Sequence, residues 1–416
     1  MIKKLKQKIY KFLKWSEKYT QTDMIYLAKG GSWLIFSRLT LIFLGFLLTL
    51  AFANLISKQT YGSYKYIISI FSLFSIATLP EIYPSLVQAI SRKFEGNFFE
   101  ATKKRIFYGL LGSLGLFGIS LYYFFQKNFV FAKAFLLASF FLPFFYSFET
   151  YKALFHGRKR FDLLAKFQVL EKLIPTFILI LILFLSNNLF LILLSYFLCF
   201  TFTRLLVWLF SIKKYPPNLK KDPMVISYGR HLTLIQFLSY LASYLDKVLV
   251  FHYLGAASLA IYHFAIVVPD QLSTLLGSLK FLALPKFSER KPQEIKKNLN
   301  KKILKFAILI SLIILLYLLF CPLIYKIFFP QYQKSIFYSQ IFSFSIFGAL
   351  AILPHTFLLS QRKVKKLYQY NFLSALIRIL FILCGLYLGG LFGLILGRVA
   401  ARFFNFLILE ILVIKS

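Results

Sequence analysis

The chain has 416 residues, 59% of them apolar and 19% aromatic, with a mean hydropathy of +0.71, where soluble chains are roughly 45–50% apolar. Only 15% are charged, yet 50 Lys and Arg stand against 14 Asp and Glu, a formal net charge of +36. These figures exclude a soluble enzyme, a secreted disulfide scaffold and a disordered chain, and they leave an all-α polytopic membrane protein with basic loops.

The chain opens on a basic arm, 1–29. Up to Lys18, seven lysines are interleaved with Ile2, Leu5, Ile9, Phe12 and Leu13, the pattern either of an amphipathic helix on anionic membrane lipids or of a loose basic tail, and not of a signal peptide. A helix needs roughly 20 apolar residues to cross the hydrocarbon, and runs of that length recur twelve times. They lie near 30–56, 61–90, 106–126, 130–154, 163–186, 189–210, 227–253, 257–283, 305–328, 335–360, 367–388 and 391–413. The second is interrupted by Pro80, Glu81 and Pro84, the fifth by Glu171, Lys172 and Pro175.

Lys and Arg fall in alternate gaps: 34 in the arm, the C-terminus and the gaps 91–105, 155–166, 211–223, 284–305 and 361–366, against 5 in the gaps between. That asymmetry places both termini in the cytoplasm of a multi-pass cytoplasmic-membrane protein. It also accounts for the basic excess without nucleic acid. Cys199, Cys321 and Cys384 all lie inside apolar runs, so neither a disulfide nor a metal site is expected. The histidines show no metal spacing. No G-x-x-x-x-G-K-[ST] phosphate loop occurs, and no loop is long enough to carry the acidic active site of a membrane sugar-transfer enzyme.

The Pro-rich, Lys-rich gap 213–223 divides the chain into two bundles of six spans, 30–212 and 224–416. The turn 54–64 can be laid on 252–262 at an offset of 198, and with six spans per half the two halves form a parallel repeat. Glycines 109, 112, 115 and 118, and 385, 389, 393 and 397, recur at helical spacing and read as helix packing, with Gly389-Gly390 forming a turn.

The first two spans, from Gly31-Ser32-Trp33 through ANLISKQTYGSYKYIISIFSLFSIATLPEIYPSLVQAISR (53–92), and the stretch YLDKVLVFHYLGAASLAIYHFAI (244–266) resemble polysaccharide-synthesis, O-antigen-type oligosaccharide flippases. That family sits in the superfamily of multidrug, oligosaccharidyl-lipid and polysaccharide exporters. The resemblance implies export of a polyprenyl-diphosphate-linked glycan, with other polysaccharide-assembly membrane proteins as further partners; no cofactor is expected beyond a coupling Na⁺ or H⁺ that an intramembrane carboxylate could carry.

Charges inside the spans carry the expected chemistry, since each costs at least about 2.5–3.5 kcal/mol in a bilayer. Lys65, Glu149, Lys152, Arg230, Lys280 and Glu410 lie near span ends and read as snorkelling side chains. Arg38, Lys172, Arg204, Arg378, Arg398 and Arg402 lie deeper and are the candidate diphosphate-binding residues, because guanidinium forks bind phosphate bidentately. At 1.5 Å per residue, Arg38, Lys172, Arg378 and Arg402 fall roughly 12–16 Å into their spans. Glu81, Glu171, Asp246, Lys247 and Asp270 are candidates for ion coupling or ion pairing. Pro80-Glu81 and Pro269-Asp270 each set a helix-breaking proline beside a carboxylate.

These residues favour a flippase working by alternating access around a cationic cavity. The alternatives are an ion-coupled drug or metabolite exporter of the same superfamily, which would need an acidic and aromatic cavity, and a membrane-embedded sugar-transfer enzyme. The topology is tested by cysteine labelling: a cysteine at Asn187 should react with an impermeant thiol reagent in intact cells, and one at Lys296 only after permeabilisation. Reversed labelling overturns the orientation.

Overall fold

The computed structural model describes residues 24–277, 279–280, 287, 292–361 and 363–415; the arm expected over 1–18 lies outside them. Among the described residues every regular element is helical, as lipid requires, because it leaves backbone N–H and C=O groups no partner outside their own segment. In chain order these are α1 (Met24–Leu55), α2 (Lys58–Phe74), α3 (Ile82–Ser91), α4 (Asn97–Phe125), α5 (Phe129–Phe145), α6 (Thr150–Gly157), α7 (Phe161–Leu185), α8 (Leu189–Lys214), α9 (Met224–Gly277), α10 (Pro292–Phe328), α11 (Ser335–Ser343), α12 (Ile352–Ser360) and α13 (Val364–Ile414).

Nine described helical stretches are long and apolar enough to cross a bilayer, and α2 with α3, bent by 46°, makes a tenth. Two are too long for one crossing: α9 has 54 residues and α13 has 51. Straight, each would run about 80 Å, against a hydrocarbon core of ~30 Å. Both turn back at glycine. Gly255 has φ +84°, and Gly390 has φ +53° with ψ −132°, conformations that a Cβ opposes. Counting two arms for each, the described chain has twelve crossing-length segments.

The α13 hairpin shows why its glycines recur. A Cβ on Gly385 would stand 2.3 Å from the Gly393 carbonyl oxygen, and one on Gly397 2.2 Å from that of Phe381, so the two arms touch backbone to backbone. Of the earlier set, Gly109, Gly112 and Gly115 likewise meet Pro143, Leu142 and Phe74, while Gly118 faces open space.

The two proline–carboxylate pairs part company. At Pro80-Glu81 the helix does break: Leu79 takes φ +51°, and α3 restarts at Ile82. Buried Arg105, counted among loop charges by sequence, donates its Nε to the Thr78 carbonyl at 3.1 Å. Pro269, by contrast, is carried inside the second arm of α9 with no break in helical dihedrals beyond Gly255. The helix is not interrupted there as it is at Pro80.

The chain divides into two compact units. One comprises Met1–Ala51, Phe74–Ser186 and Phe190–Thr233; the other comprises Phe52–Leu73, Asn187–Leu189 and Leu234–Ser416. The core of the first includes Leu86, Ile90, Phe98 and Leu154; that of the second includes Leu299, Phe357, Leu358 and Leu409. The end of α1 and most of α2 thus pack with the second unit. There Gly62 lies so close to the turn after Gly255 that a Cβ would stand 1.8 Å from the Ala256 carbonyl oxygen.

The gap 213–223, expected as a linker, is a strap bound to the first unit. Arg158 grips the Glu95 carboxylate with Nε and Nη2 at 2.8 and 2.7 Å, and donates to the carbonyls of Tyr215 and Pro216. Glu95 also accepts the Asn218 N–H at 2.9 Å. Asn97 exchanges two hydrogen bonds with the Asp222 backbone, and Asp222 pairs with Arg92 at 2.7 Å. Proline-rich backbone cannot satisfy itself in a helix, so side chains of the 92–97 loop and Arg158 satisfy it instead.

Burial raises the pKa of Glu95, but the hydrogen bonds from Arg158 and Asn218 and the charges of Arg158 and Lys93 outweigh it, and the net shift is downward from 4.5. A depressed carboxylate stabilises the fold above its unfolded pKa and loses that contribution as pH falls through the folded one. Hydrogen–deuterium exchange over 215–222, corrected for intrinsic rate, should therefore rise as pH drops below about 4.5, and Glu95→Gln should remove that dependence. At neutral pH, Arg158→Ala should speed tryptic cleavage after Lys220 and Lys221 by about tenfold or more, given ~1.5–3 kcal/mol for a charged hydrogen bond. An unchanged digestion rate would show that the strap is held by something else.

Candidate functional site

Each unit holds a cluster of charges within its helices, and the two are balanced differently. In the first unit Glu149, at the 3₁₀ turn between α5 and α6, and Glu171 on α7 face Arg204 on α8. Arg204 reaches Glu149 with Nη2 at 2.7 Å and Glu171 with Nε at 2.6 Å, and donates Nη1 to the Phe145 carbonyl at 2.6 Å. Its guanidinium also lies 4.3 Å from the Phe145 ring centroid. Lys152 bridges the same carboxylates at 3.1 and 3.0 Å, and Tyr151 donates its hydroxyl to Glu171. Two carboxylates thus meet two cations, and each of the three guanidinium nitrogens has a partner.

Arg204 was expected to bind substrate; it is buried and committed to carboxylates instead. Glu149 and Lys152, expected to snorkel, are members of this network. Lys172 stands beside it with its Nζ 5.4 Å from the Phe200 ring centroid and no ion pair among the described residues.

In the second unit the balance tips. Asp246 on the first arm of α9 is fully buried. It accepts the Tyr262 hydroxyl at 2.5 Å, the Lys247 N–H at 2.8 Å and Arg398 at 3.0 Å, and Arg398 also donates to the Tyr262 oxygen at 2.6 Å. One turn along α13, Arg402 pairs with Asp270 and donates to the Ser345 hydroxyl at 2.9 Å. Asp270 lies 3.7 Å from Arg398. Beside them, Lys247 and Arg378 have no carboxylate within ion-pair distance among the described residues; the ammonium of Lys247 lies 5.3 Å from the Tyr244 ring centroid.

These groups surround a cavity of about 410 Å³ whose lining includes Lys247, Asp270, Arg378, Arg398 and Arg402, together with the hydroxyl-bearing Ser243, Ser273 and Thr274. Its volume lies within the roughly 300–1,000 Å³ of small-molecule sites. Asp246 and Asp270 leave two of the four positive charges uncompensated, in surroundings where charge interacts several-fold more strongly than in water.

Two further members of the expected set lie elsewhere. Arg38 is exposed on α1 with Ile35, Phe36 and Leu39, making no ion pair or hydrogen bond among the described residues. Glu81 is half-buried at the break before α3. Among the described residues no group of His, Cys, Asp and Glu is arranged to hold a metal.

A signal in the sequence pointed to both clusters. Arg204 and Arg402 are 198 residues apart, the offset that relates the turns at 54–64 and 252–262. Ser147 and Ser345 share it, and both sit in 3₁₀ turns, Ser147–Glu149 and Phe344–Ala351. In each unit the arginine donates Nη1 to that turn or to the residues just before it. The repeat therefore extends to the charge centre of each half.

Residues 27–289 match the family described as Polysaccharide biosynthesis protein, and the chain belongs to that family. No curated protein matches it. Among solved structures it is similar to the lipid II flippase MurJ in its inward closed conformation, at 15% identity and TM-score 0.67 over 94% of this chain and 88% of that one. It is also similar to a multidrug resistance MATE family transporter of the MOP superfamily in its inward-facing conformation, at 11% identity and TM-score 0.64 over 89% and 94%. At these identities the likeness is one of fold: this is a multi-pass membrane protein built like the exporters and flippases of that superfamily.

The two clusters should respond differently to mutation. Removing one partner of a buried pair costs about 3–5 kcal/mol, so Glu171→Gln and Arg204→Ala should sharply lower membrane abundance and detergent melting temperature. Arg378→Ala, which breaks no ion pair, should leave both near wild type. Equal losses in the two clusters would show that both serve only folding.

Proposed function

We propose that the chain is a flippase that carries a polyprenyl-diphosphate-linked glycan across the cytoplasmic membrane for surface polysaccharide synthesis, with both termini in the cytoplasm. The supporting observation is the cavity whose lining cations outnumber the neighbouring carboxylates. In that reading Lys247, Arg378 and Arg402 seat the diphosphate, Arg398 is fixed by Asp246 and Tyr262 as a rigid positive wall, and the polyprenyl tail stays in lipid. A 410 Å³ cavity suits the charged linkage, and the sugars extend beyond it. Membership of the polysaccharide biosynthesis family, and a fold shared with a lipid II flippase, support the same reading. A drug exporter with cationic guests fits this lining poorly, because arginines would repel them. The role is transport, and no catalytic step is assigned.

The test is surface glycan in a strain dependent on this protein, measured alongside membrane abundance. Arg378→Ala and Arg402→Ala should each lower glycan about tenfold or more at preserved abundance, equivalent to losing at least ~1.4 kcal/mol of anion binding. Lysine at either site should restore part, since it keeps the charge and loses the fork. Lys296→Ala should have little effect. Normal glycan from both alanine variants overturns the reading.

A further inference from the structure

Asp270 is oddly placed for a site that must attract an anion. It lines the cavity, its side chain is 34% exposed, and it holds the guanidinium of Arg402, one of the groups best placed to meet a phosphate. The other acid of the cluster, Asp246, is buried behind Tyr262 and Arg398 with its oxygens already engaged. Asp270 is held more loosely: Oδ1 pairs with Arg402, while Oδ2 has only Arg398 at 3.7 Å, and the side chain stays partly exposed. Arg402 in turn keeps Ser345 as a second anchor at 2.9 Å, so its position does not depend on Asp270.

We propose that Asp270 is a resident counter-ion that competes with the anionic guest for Arg402, so that binding is an exchange of carboxylate for phosphate. The guest first meets Lys247 and Arg378, which no carboxylate covers among the described residues, and completes its contacts by displacing Asp270 from Arg402. On release the carboxylate returns, and the arginine is never left as an unpaired charge in the membrane. A transport site must bind its cargo firmly enough to load and weakly enough to unload. Four cations facing a diphosphate without an internal competitor would fail the second condition. The proposal rests on the cavity being the anion site, and it adds that Asp270 sets its affinity by opposing the guest.

The experiment measures binding of inorganic pyrophosphate to the purified full chain in detergent. Asp270→Asn should bind at least tenfold more tightly than wild type while glycan export falls, because loading improves and unloading slows. Asp270→Ser, a second neutral variant, should do the same if the first does not fold. Asp270→Glu, which keeps the charge, should not tighten binding, and Asp162→Asn, whose partner Arg160 lies outside the cavity, serves as the carboxylate control. Unchanged or weaker pyrophosphate binding in the neutral variants overturns the exchange. Loss of binding in Arg378→Ala and Arg402→Ala upholds the anion cavity independently; if those variants bind as wild type does, the functional reading fails first. Farnesyl diphosphate run in parallel separates the sources: tighter wild-type binding than pyrophosphate assigns the cavity a lipid-borne diphosphate, and equal binding a soluble one.

Discussion

The structure turns on how a charge survives inside a bilayer. A guanidinium or carboxylate there needs a partner within hydrogen-bond reach or a wet cavity, and each unit supplies a different mixture of the two. Around Arg204 the partners suffice: two carboxylates, a second cation and a carbonyl close the network, and the rings of Phe145, Tyr146 and Phe200 lie against the guanidinium. Around Arg398 and Arg402 they do not, and the remainder faces a cavity. The same residue type, 198 positions apart, is therefore neutralised inside a closed network in one unit and lines a cavity in the other.

Arg204 is anchored to the Phe145 carbonyl and Arg402 to the Ser345 hydroxyl, each in the fourth span of its half, which fixes where the guanidinium sits. The acids that meet them have changed. Glu149 and Glu171 come from the fourth and fifth spans of the first half. Asp270 comes from the second span of the other half, and its partial exposure makes its hold on Arg402 exchangeable. The strap works on the same principle outside the membrane. Backbone that prolines keep from self-pairing is held by Arg158, Glu95 and Asn97, so that the connection between the two halves of the sequence is anchored to the first unit up to Asp222.

Much was legible from residue order. The twelve apolar runs, the basic gaps and the Gly389-Gly390 turn follow from composition and spacing, because span length and backbone freedom are local properties. The readings that changed depended on neighbours distant in sequence. Pro269 has the same local context as Pro80, yet its helix stays intact. Glu149 and Lys152 lie near a span end by count, but a 3₁₀ turn swings them onto Glu171 and Arg204. Arg105 looked like a loop charge and is buried against a broken helix.

By itself, then, the sequence determined an all-helical, multi-pass membrane protein, its charge asymmetry, and the number of cations that its apolar runs carry. Tertiary structure alone decided which of those cations are neutralised. Arg204 and Arg402 are both deep arginines in the sixth span of a half, and no pattern of neighbours along the chain says that one meets two buried carboxylates and the other a half-exposed aspartate at a cavity wall. Coulomb energy depends on distances of a few ångströms between helices, and hydropathy, periodicity and spacing do not encode those distances.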